Sequence, residues 1–262
     1  MGGGRGAGGG IPGRAARVGV LEAVSALVEL ALPLECGGCR RRGTRWCAVC
    51  DAELAATAFP GGPRRVRPVP CPGGLPPVWS GRPYAGASAV VQAKDADRRD
   101  LIAVLAPLLA DSLVGALGAD PVARVALTSG EGPVLVVPVP SSRASVRRRG
   151  DAVLHTLVSR ALACAAYPPH EVLLAPVLRL RRRVADQAGL SRPSRAANLD
   201  HAMETRPSWR STVPGACCLL ADDVLTTGAT LTEAARALHA AGARHVVAAT
   251  VAATARREPH AG

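Results

Sequence analysis

The stretch Leu219-Leu220-Ala221-Asp222-Asp223-Val224-Leu225-Thr226-Thr227-Gly228-Ala229-Thr230 places two adjacent carboxylates just ahead of a threonine-rich turn. A hydrophobic run that reads as a buried strand, Cys217 to Ala221, ends in the two acids, and the Thr-Thr-Gly-Ala-Thr loop opens what reads as a helix. Backbone N–H groups at a helix N-terminus form an anion cradle sized for one phosphate when threonine hydroxyls lie beside them and a glycine permits close approach. Asp222 and Asp223 cannot serve that phosphate, because carboxylates repel it. They suit a vicinal diol, accepting hydrogen bonds from two sugar hydroxyls. A ribose on the acids, with its 5′-phosphate in the loop, is the joint ligand this spacing implies. A plain helix cap would explain the threonines but not the doubled acid.

Cysteines form a second constellation. Cys36 and Cys39, then Cys47 and Cys50, make two C-x-x-C turns separated by seven residues, with Gly37, Gly38 and Gly43 supplying tight backbone. Each turn aims two thiolates at one ion, and two such turns complete a tetrahedral sulfur site suited to structural Zn2+. Four thiolates leave no open position for a catalytic water. Cys71, in Cys71-Pro72-Gly73-Gly74, reads as an unpaired loop thiol, and Cys164, Cys217 and Cys218 as core packing. His155, His239 and His245 fall on expected elements and read as structural.

The elements that must position these groups alternate along the chain. Leu101, Val104, Leu105, Leu108, Leu109, Leu113 and Leu117 carry a helical period with Pro107 inside it, and Val134-Leu135-Val136-Val137 is an apolar run of the kind found in a strand covered on both faces. A helix from about Asp151 to Ala165, a strand Glu171 to Leu174, a helix Thr230 to Ala241 closed by Gly242 and a last strand His245 to Val251 follow. Strand, helix, strand in repetition predicts an α/β fold: a mostly parallel sheet with flanking helices. The expected organisation is a glycine-rich tail (1–17), an amphipathic helix plus four-Cys module (18–59), a Gly/Pro-rich linker (60–83), the α/β domain (84–254) and a short tail (255–262).

Charge and composition narrow the partners. The net charge is +12, and only Lys94 among 32 basic residues is a lysine, which points to mutational bias toward GC-rich codons. The excess is local: residues 140–195 hold eleven arginines against three acids, and 40–67 hold seven against two. Such islands suit phosphate-bearing ligands, with nucleic acid a second possibility for Arg40, Arg41, Arg42 and Arg45 in the cysteine module. The chain has few aromatics for base stacking, which disfavours a single-strand-binding version of that partner. No stretch approaches the roughly 18–20 uninterrupted apolar residues of a membrane span. Val18 to Leu34, broken by Glu22 and Glu29, reads as an amphipathic helix and fails as a signal peptide, so a cytoplasmic location is expected.

The run from Leu219 to Thr230 resembles the phosphoribosyl pyrophosphate (PRPP) motif of type I phosphoribosyltransferases: four hydrophobic residues, two acids and a Thr-Thr-Gly-x-Thr loop. Pro138-Val139-Pro140-Ser141-Ser142-Arg143, continuing to Arg147-Arg148-Arg149-Gly150, resembles the Pro-x-Pro…Arg-Gly segment of the ComF/GntX family. Gln187, Leu190, Arg195 and Asn198 fall at the spacing of that family's Gln…Leu-Ser…Arg…Asn stretch, and the cysteine turns are similar to its zinc-ribbon-like module. Asp151-Ala152-Val153 departs from the Phe-Asn-Gln usual after Arg-Gly, and Cys71 alone stands where a second cysteine cluster is often seen.

The resemblance implies a type I phosphoribosyltransferase-like fold that binds PRPP and Mg2+ and transfers a phosphoribosyl group to an acceptor. It also allows a non-catalytic role in PRPP sensing or in DNA uptake and competence. On it, Asp222 and Asp223 hold ribose, and Thr226, Thr227, Gly228, Ala229 and Thr230 hold the 5′-phosphate. Ser141, Ser142, Arg143, Arg149 and Gly150 form the PRPP-binding pyrophosphate side. Gln187, Arg195 and Asn198 lie in a polar segment that could close over the site. Lys94 and Asn198, the only residues of their types, are second-rank site candidates.

Overall fold

The computed structural model describes residues 35–84, 98–130, 132–140, 153–181 and 201–254. In chain order these hold α1 (Ala48–Ala56), β1 (Arg64–Val66), β2 (Val78–Ser80), α2 (Ile102–Ala119), α3 (Pro121–Ser129), β3 (Val134–Pro138), α4 (Val153–Ala165), β4 (Val172–Leu174), β5 (Leu178–Leu180), β6 (Met203–Thr205), β7 (Cys217–Leu225), α5 (Ala229–Ala240) and β8 (His245–Ala253). Six strands form one sheet in the order β1-β2-β8-β7-β3-β4, and β5 pairs with β6 in a separate ribbon. Every pairing in the large sheet is parallel except that of β1 with β2. The mostly parallel α/β architecture expected from the sequence is therefore present.

Side-chain alternation sorts the core into two layers. Val134, Val136, Cys217, Leu219, Val247 and Ala249 pack with α2, α3 and α4. Leu135, Val137, Cys218, Leu220, Val246 and Ala248 pack with α5. Both faces being covered explains why β3, β7 and β8 read as continuous apolar runs. α2 buries Leu105, Leu109, Leu113 and Leu117 along one stripe, each fully buried leucine stabilising the fold by about 1.5–3 kcal/mol. Pro107 lies inside this helix. With its 3₁₀ lead-in, Arg99–Ala119 is apolar and long enough to cross a membrane, but more than half of it is buried inside the fold. It is the core helix of the α2–α4 layer.

Three features differ from the sequence expectation. Residues 60–83, expected as a linker, contribute β1 and β2 to the sheet, with β2 lying parallel to β8 from Val78↔Ala248 to Ser80↔Thr250. These strands are three residues long, each with a proline just before it, so the pairing of β2 with β8 and of β1 with β2 holds them in place of local propensity. β7 does not stop at Ala221 but runs through both acids to Leu225. Cys164, expected in the core, is exposed in the last turn of α4, outside the buried stripe of Leu157, Val158 and Ala161. Cys217 and Cys218 are buried as expected, and Cys71 is exposed. The helix expected over Val18 to Leu34 and both tails lie outside the described residues.

Asp120 ties the two ends of the domain core together. It caps α3, its Oδ1 accepting the Val122 and Ala123 N–H groups at 3.1 and 3.0 Å, and His245 Nε2 at the start of β8 lies 2.9 Å from the same oxygen.

Candidate functional site

The crossover after β3 runs through α4 on one face of the sheet to β4. The crossover after β7 runs through α5 on the other face to β8, in the opposite direction along the sheet. The C-terminal ends of β3 and β7 thus flank the point where strand order reverses, the crevice in which open α/β sheets bind ligands. Their ladder is held to its end: Pro138 pairs with Ala221, and the Val139 N–H donates to the Ala221 carbonyl at 3.0 Å. The described stretch after β3 ends at Pro140.

In β7 the inside-outside alternation breaks at Asp222 and Asp223. Ala221 and Val224 both pack in the α2–α4 layer although two residues separate them, and Leu225 joins the α5 layer. β8 breaks in the same stretch, with Val251 and Ala252 both in the α2–α4 layer. In a regular strand consecutive side chains point to opposite faces; the acids straddle a place where that rule lapses. Each carboxylate also holds the next amide, Asp222 Oδ1 accepting from Asp223 N–H at 2.9 Å and Asp223 Oδ1 from Val224 N–H at 2.8 Å. Both acids are half-buried at the strand end.

The loop that follows is built for close approach. Thr226 and Thr227 are exposed, and Gly228 adopts φ 80° in the left-handed region as the N-cap of α5. The Thr232 N–H donates to the Gly228 carbonyl at 2.9 Å, which starts the helix. The Thr227 hydroxyl lies 3.4 Å from the Ala229 N–H. α5 thus opens at Ala229 and Thr230 directly behind the exposed threonines, which is the geometry an anion cradle needs. Thr254, just past β8, fastens the loop from behind: its hydroxyl donates to the Leu225 and Thr226 carbonyls, each at 3.1 Å. From the other side, Pro68 and Leu75 of the β1–β2 connection close on Gly228.

Asp222, Asp223, Thr226, Thr227, Gly228, Ala229 and Thr230 are therefore brought together. Ser141, Ser142, Arg143, Arg149, Gly150, Gln187, Arg195, Asn198 and Lys94 lie outside the described residues. Thr254, Leu75 and Pro68 were not singled out in the sequence. Thr254 carries no motif signal, and the role of Leu75 and Pro68 depends on the 60–83 segment joining the sheet.

The second constellation also assembles. The Sγ atoms of Cys36, Cys39, Cys47 and Cys50 all lie within 4.8 Å of one another, with Cys39 and Cys47 at 3.6 Å. Four sulfurs about 2.3 Å from one tetrahedral ion would stand roughly 3.8 Å apart, so the donor set fits Zn2+ in number, type and spacing. Burial works against ionisation of Cys36, but backbone N–H groups of Cys39, Gly38 and Cys47 together bring that thiol down to about 6. Burial and the neighbouring thiols push Cys50 up to about 12. Thiols so crowded cannot all ionise without a cation among them.

The module is seated on the α/β domain. A Cβ on Gly37 would meet Leu101 Cδ1 at 2.6 Å, and Arg98 Nη2 donates to the Glu35 carbonyl at 2.8 Å while pairing with Asp100. Arg82, 4% exposed, donates to the Leu54 carbonyl in the last turn of α1 at 2.7 Å. Arg40, Arg41, Arg42 and Arg45 are all exposed.

Residues 152–261 match the family model of the phosphoribosyl transferase domain, a span that takes in Asp222, Asp223 and the whole threonine loop. Among solved structures, the allosteric regulatory enzyme of purine biosynthesis is similar at 17% identity and TM-score 0.33, over 59% of this chain and 26% of that one. The chain thus spans about a quarter of that protein's length. No curated protein matches the chain.

Proposed function

We propose that this protein binds PRPP with Mg2+ and transfers its phosphoribosyl group to a nitrogen acceptor. The observation that carries the reading is the paired acids and the Thr-Thr-Gly-Ala-Thr loop at the C-terminal end of β7, at the reversal of strand order. The phosphoribosyl transferase domain match over 152–261 supports it.

In the proposed reaction the acceptor nitrogen attacks the anomeric carbon, the carbon–oxygen bond to pyrophosphate breaks, and the bonding pair leaves with pyrophosphate. The transition state has oxocarbenium character, so positioning and charge placement supply most of the catalysis. Asp222 and Asp223 accept the ribose hydroxyls and favour the developing positive ring. Thr226, Thr227 and the N–H groups opening α5 anchor the 5′-phosphate, fixing the distance from anchor to reacting carbon. Ser141, Ser142 and Arg143, which come after Val139 and Pro140 in the sequence beyond β3, are assigned to the pyrophosphate, arginine meeting its oxygens in pairs. Mg2+, a hard ion that keeps oxygen ligands and several waters, would neutralise the pyrophosphate charge there.

The four cysteines are assigned a structural Zn2+ that completes the N-terminal module. This module and the Pro-x-Pro segment together support placing the chain with the ComF/GntX proteins. A second reading, PRPP binding without turnover in a protein that handles nucleic acid, draws on the four exposed arginines of the module. Incubation with Mg2+, PRPP and a panel of bases and amines separates the two. Acceptor-dependent pyrophosphate release supports the transferase. Tight PRPP binding with no release across the panel favours the second reading, and absence of PRPP binding overturns both.

A further inference from the structure

Beside Asp222 a row of polar side chains crosses three strands. Ser80 of β2 pairs with Thr250 of β8, and Thr250 pairs with Asp222 of β7. Parallel neighbours in register are about 4.8 Å apart and project from the same face. The positions leading up to this row are apolar: Val78 with Ala248, and Ala248 with Leu220. Ser80 and Thr250 are both completely buried. The Ser80 hydroxyl donates to the Arg82 carbonyl at 3.3 Å. The Thr250 hydroxyl is buried with no hydrogen-bond partner among the described residues. A buried hydroxyl left so destabilises a fold, and valine would fill the same space without that cost.

We infer that Thr250 is a positioning residue for Asp222, its buried hydroxyl donating to the Asp222 carboxylate when that carboxylate engages a ribose diol. The inference rests on the phosphoribosyl reading above. Asp222 Oδ1 receives the Asp223 N–H, and the two oxygens of a carboxylate together accept up to about four donors. A donor anchored in the core restricts the carboxylate to one orientation and favours its ionised form. Both effects serve a group that must accept from two sugar hydroxyls. Ser80 completes the row but has its own acceptor, which leaves Thr250 as the member turned to this task.

The test is calorimetric titration with Mg2+·PRPP, alongside thermal melts, of the wild-type chain, Thr250→Val, Thr250→Ser, Asp222→Asn and the Thr250→Val/Asp222→Asn double variant. The expected result is roughly ten-fold weaker binding by Thr250→Val, as for loss of a hydrogen bond to a charged group. Its melting temperature should be equal to or above wild type, and Thr250→Ser should restore affinity. In the Asp222→Asn background, where the acceptor is an uncharged amide oxygen, Thr250→Val should cost clearly less affinity than it does in the wild type. Wild-type affinity in Thr250→Val, an equal loss in the Asp222→Asn background, or a lowered melting temperature with no rescue by serine would each overturn the role of Thr250 alone. Absence of PRPP binding by the wild-type chain would overturn the phosphoribosyl reading and this inference with it.

Discussion

Gly228 carries Leu75 directly against it: a Cβ at Gly228 would stand 2.9 Å from Leu75 Cδ1 and 3.3 Å from Pro68 Cγ. The β1–β2 connection thus presses on the glycine of the threonine loop, whose φ of 80° already disfavours any side chain. Gly228→Ala is penalised twice and should lose about 1–3 kcal/mol of stability in urea unfolding, with PRPP affinity falling alongside. Adding Leu75→Ala should recover only part of the loss, because it removes the clash but leaves the backbone penalty. Full stability in Gly228→Ala would show that neither constraint acts.

Asp223→Asn and Thr227→Ala test the site itself. Each should weaken Mg2+·PRPP binding at least ten-fold in calorimetry, an expectation built on the loss of one charge-assisted or one direct hydrogen bond. Neither should greatly change the melting temperature, since Asn can still accept the Val224 N–H that Asp223 Oδ1 holds and Thr227 is exposed. Unchanged affinity in both variants would sink the assignment of ribose and phosphate to this loop.

The site was legible where the side-chain types are themselves the chemistry. The doubled acid and threonine loop mark a polar cluster at the end of a strand and the start of a helix, which the fold assembles, and paired C-x-x-C turns mark a sulfur cluster. Thr250 was not legible, because in His245–Ala253 it reads as one more small strand residue, and only register with Asp222 and Ser80 gives it meaning. β5 and β6 escaped for a related reason: they pair antiparallel as Leu178↔Thr205 through Leu180↔Met203, with residues 181–202 between them in sequence, too far apart for the pattern of a short hairpin. Long apolar elements such as β3 and α2 were readable because burial on a fixed period writes itself into the sequence.

The cysteine module should carry about one zinc per chain when purified without chelator. Gly38 is the sensitive position: a Cβ there would lie 2.5 Å from Cys50 Sγ, so Gly38→Ala should lower zinc content without removing a ligand. Stripping the metal should also lower the melting temperature, because the module is seated on Leu101, Arg98 and Arg82. Metal analysis finding far less than one zinc per chain would remove the zinc assignment.

Glu233 gives the fold a defined acid sensitivity. It is buried on α5, its Oε1 accepts the Met203 N–H at 2.8 Å, and Arg236 pairs with its carboxylate while donating to the Met203 carbonyl at 3.1 Å. These contacts fasten the β5–β6 ribbon to the helix that begins at the threonine loop. Burial raises the Glu233 carboxyl, but Arg236 and the Met203 N–H outweigh it and hold the group below its ordinary value of 4.5. A depressed folded-state pKa means that the stabilisation is fully present above pH 4.5 and is lost as pH falls through the lower folded value. Glu233→Gln should therefore flatten this part of the acid limb of the stability curve and cost roughly 1–2 kcal/mol at neutral pH, where the charge-assisted bonds to Arg236 are lost. Urea midpoints of the two proteins between pH 3 and 7 make the comparison. Parallel curves across that range would mean that Glu233 does not govern the acid response.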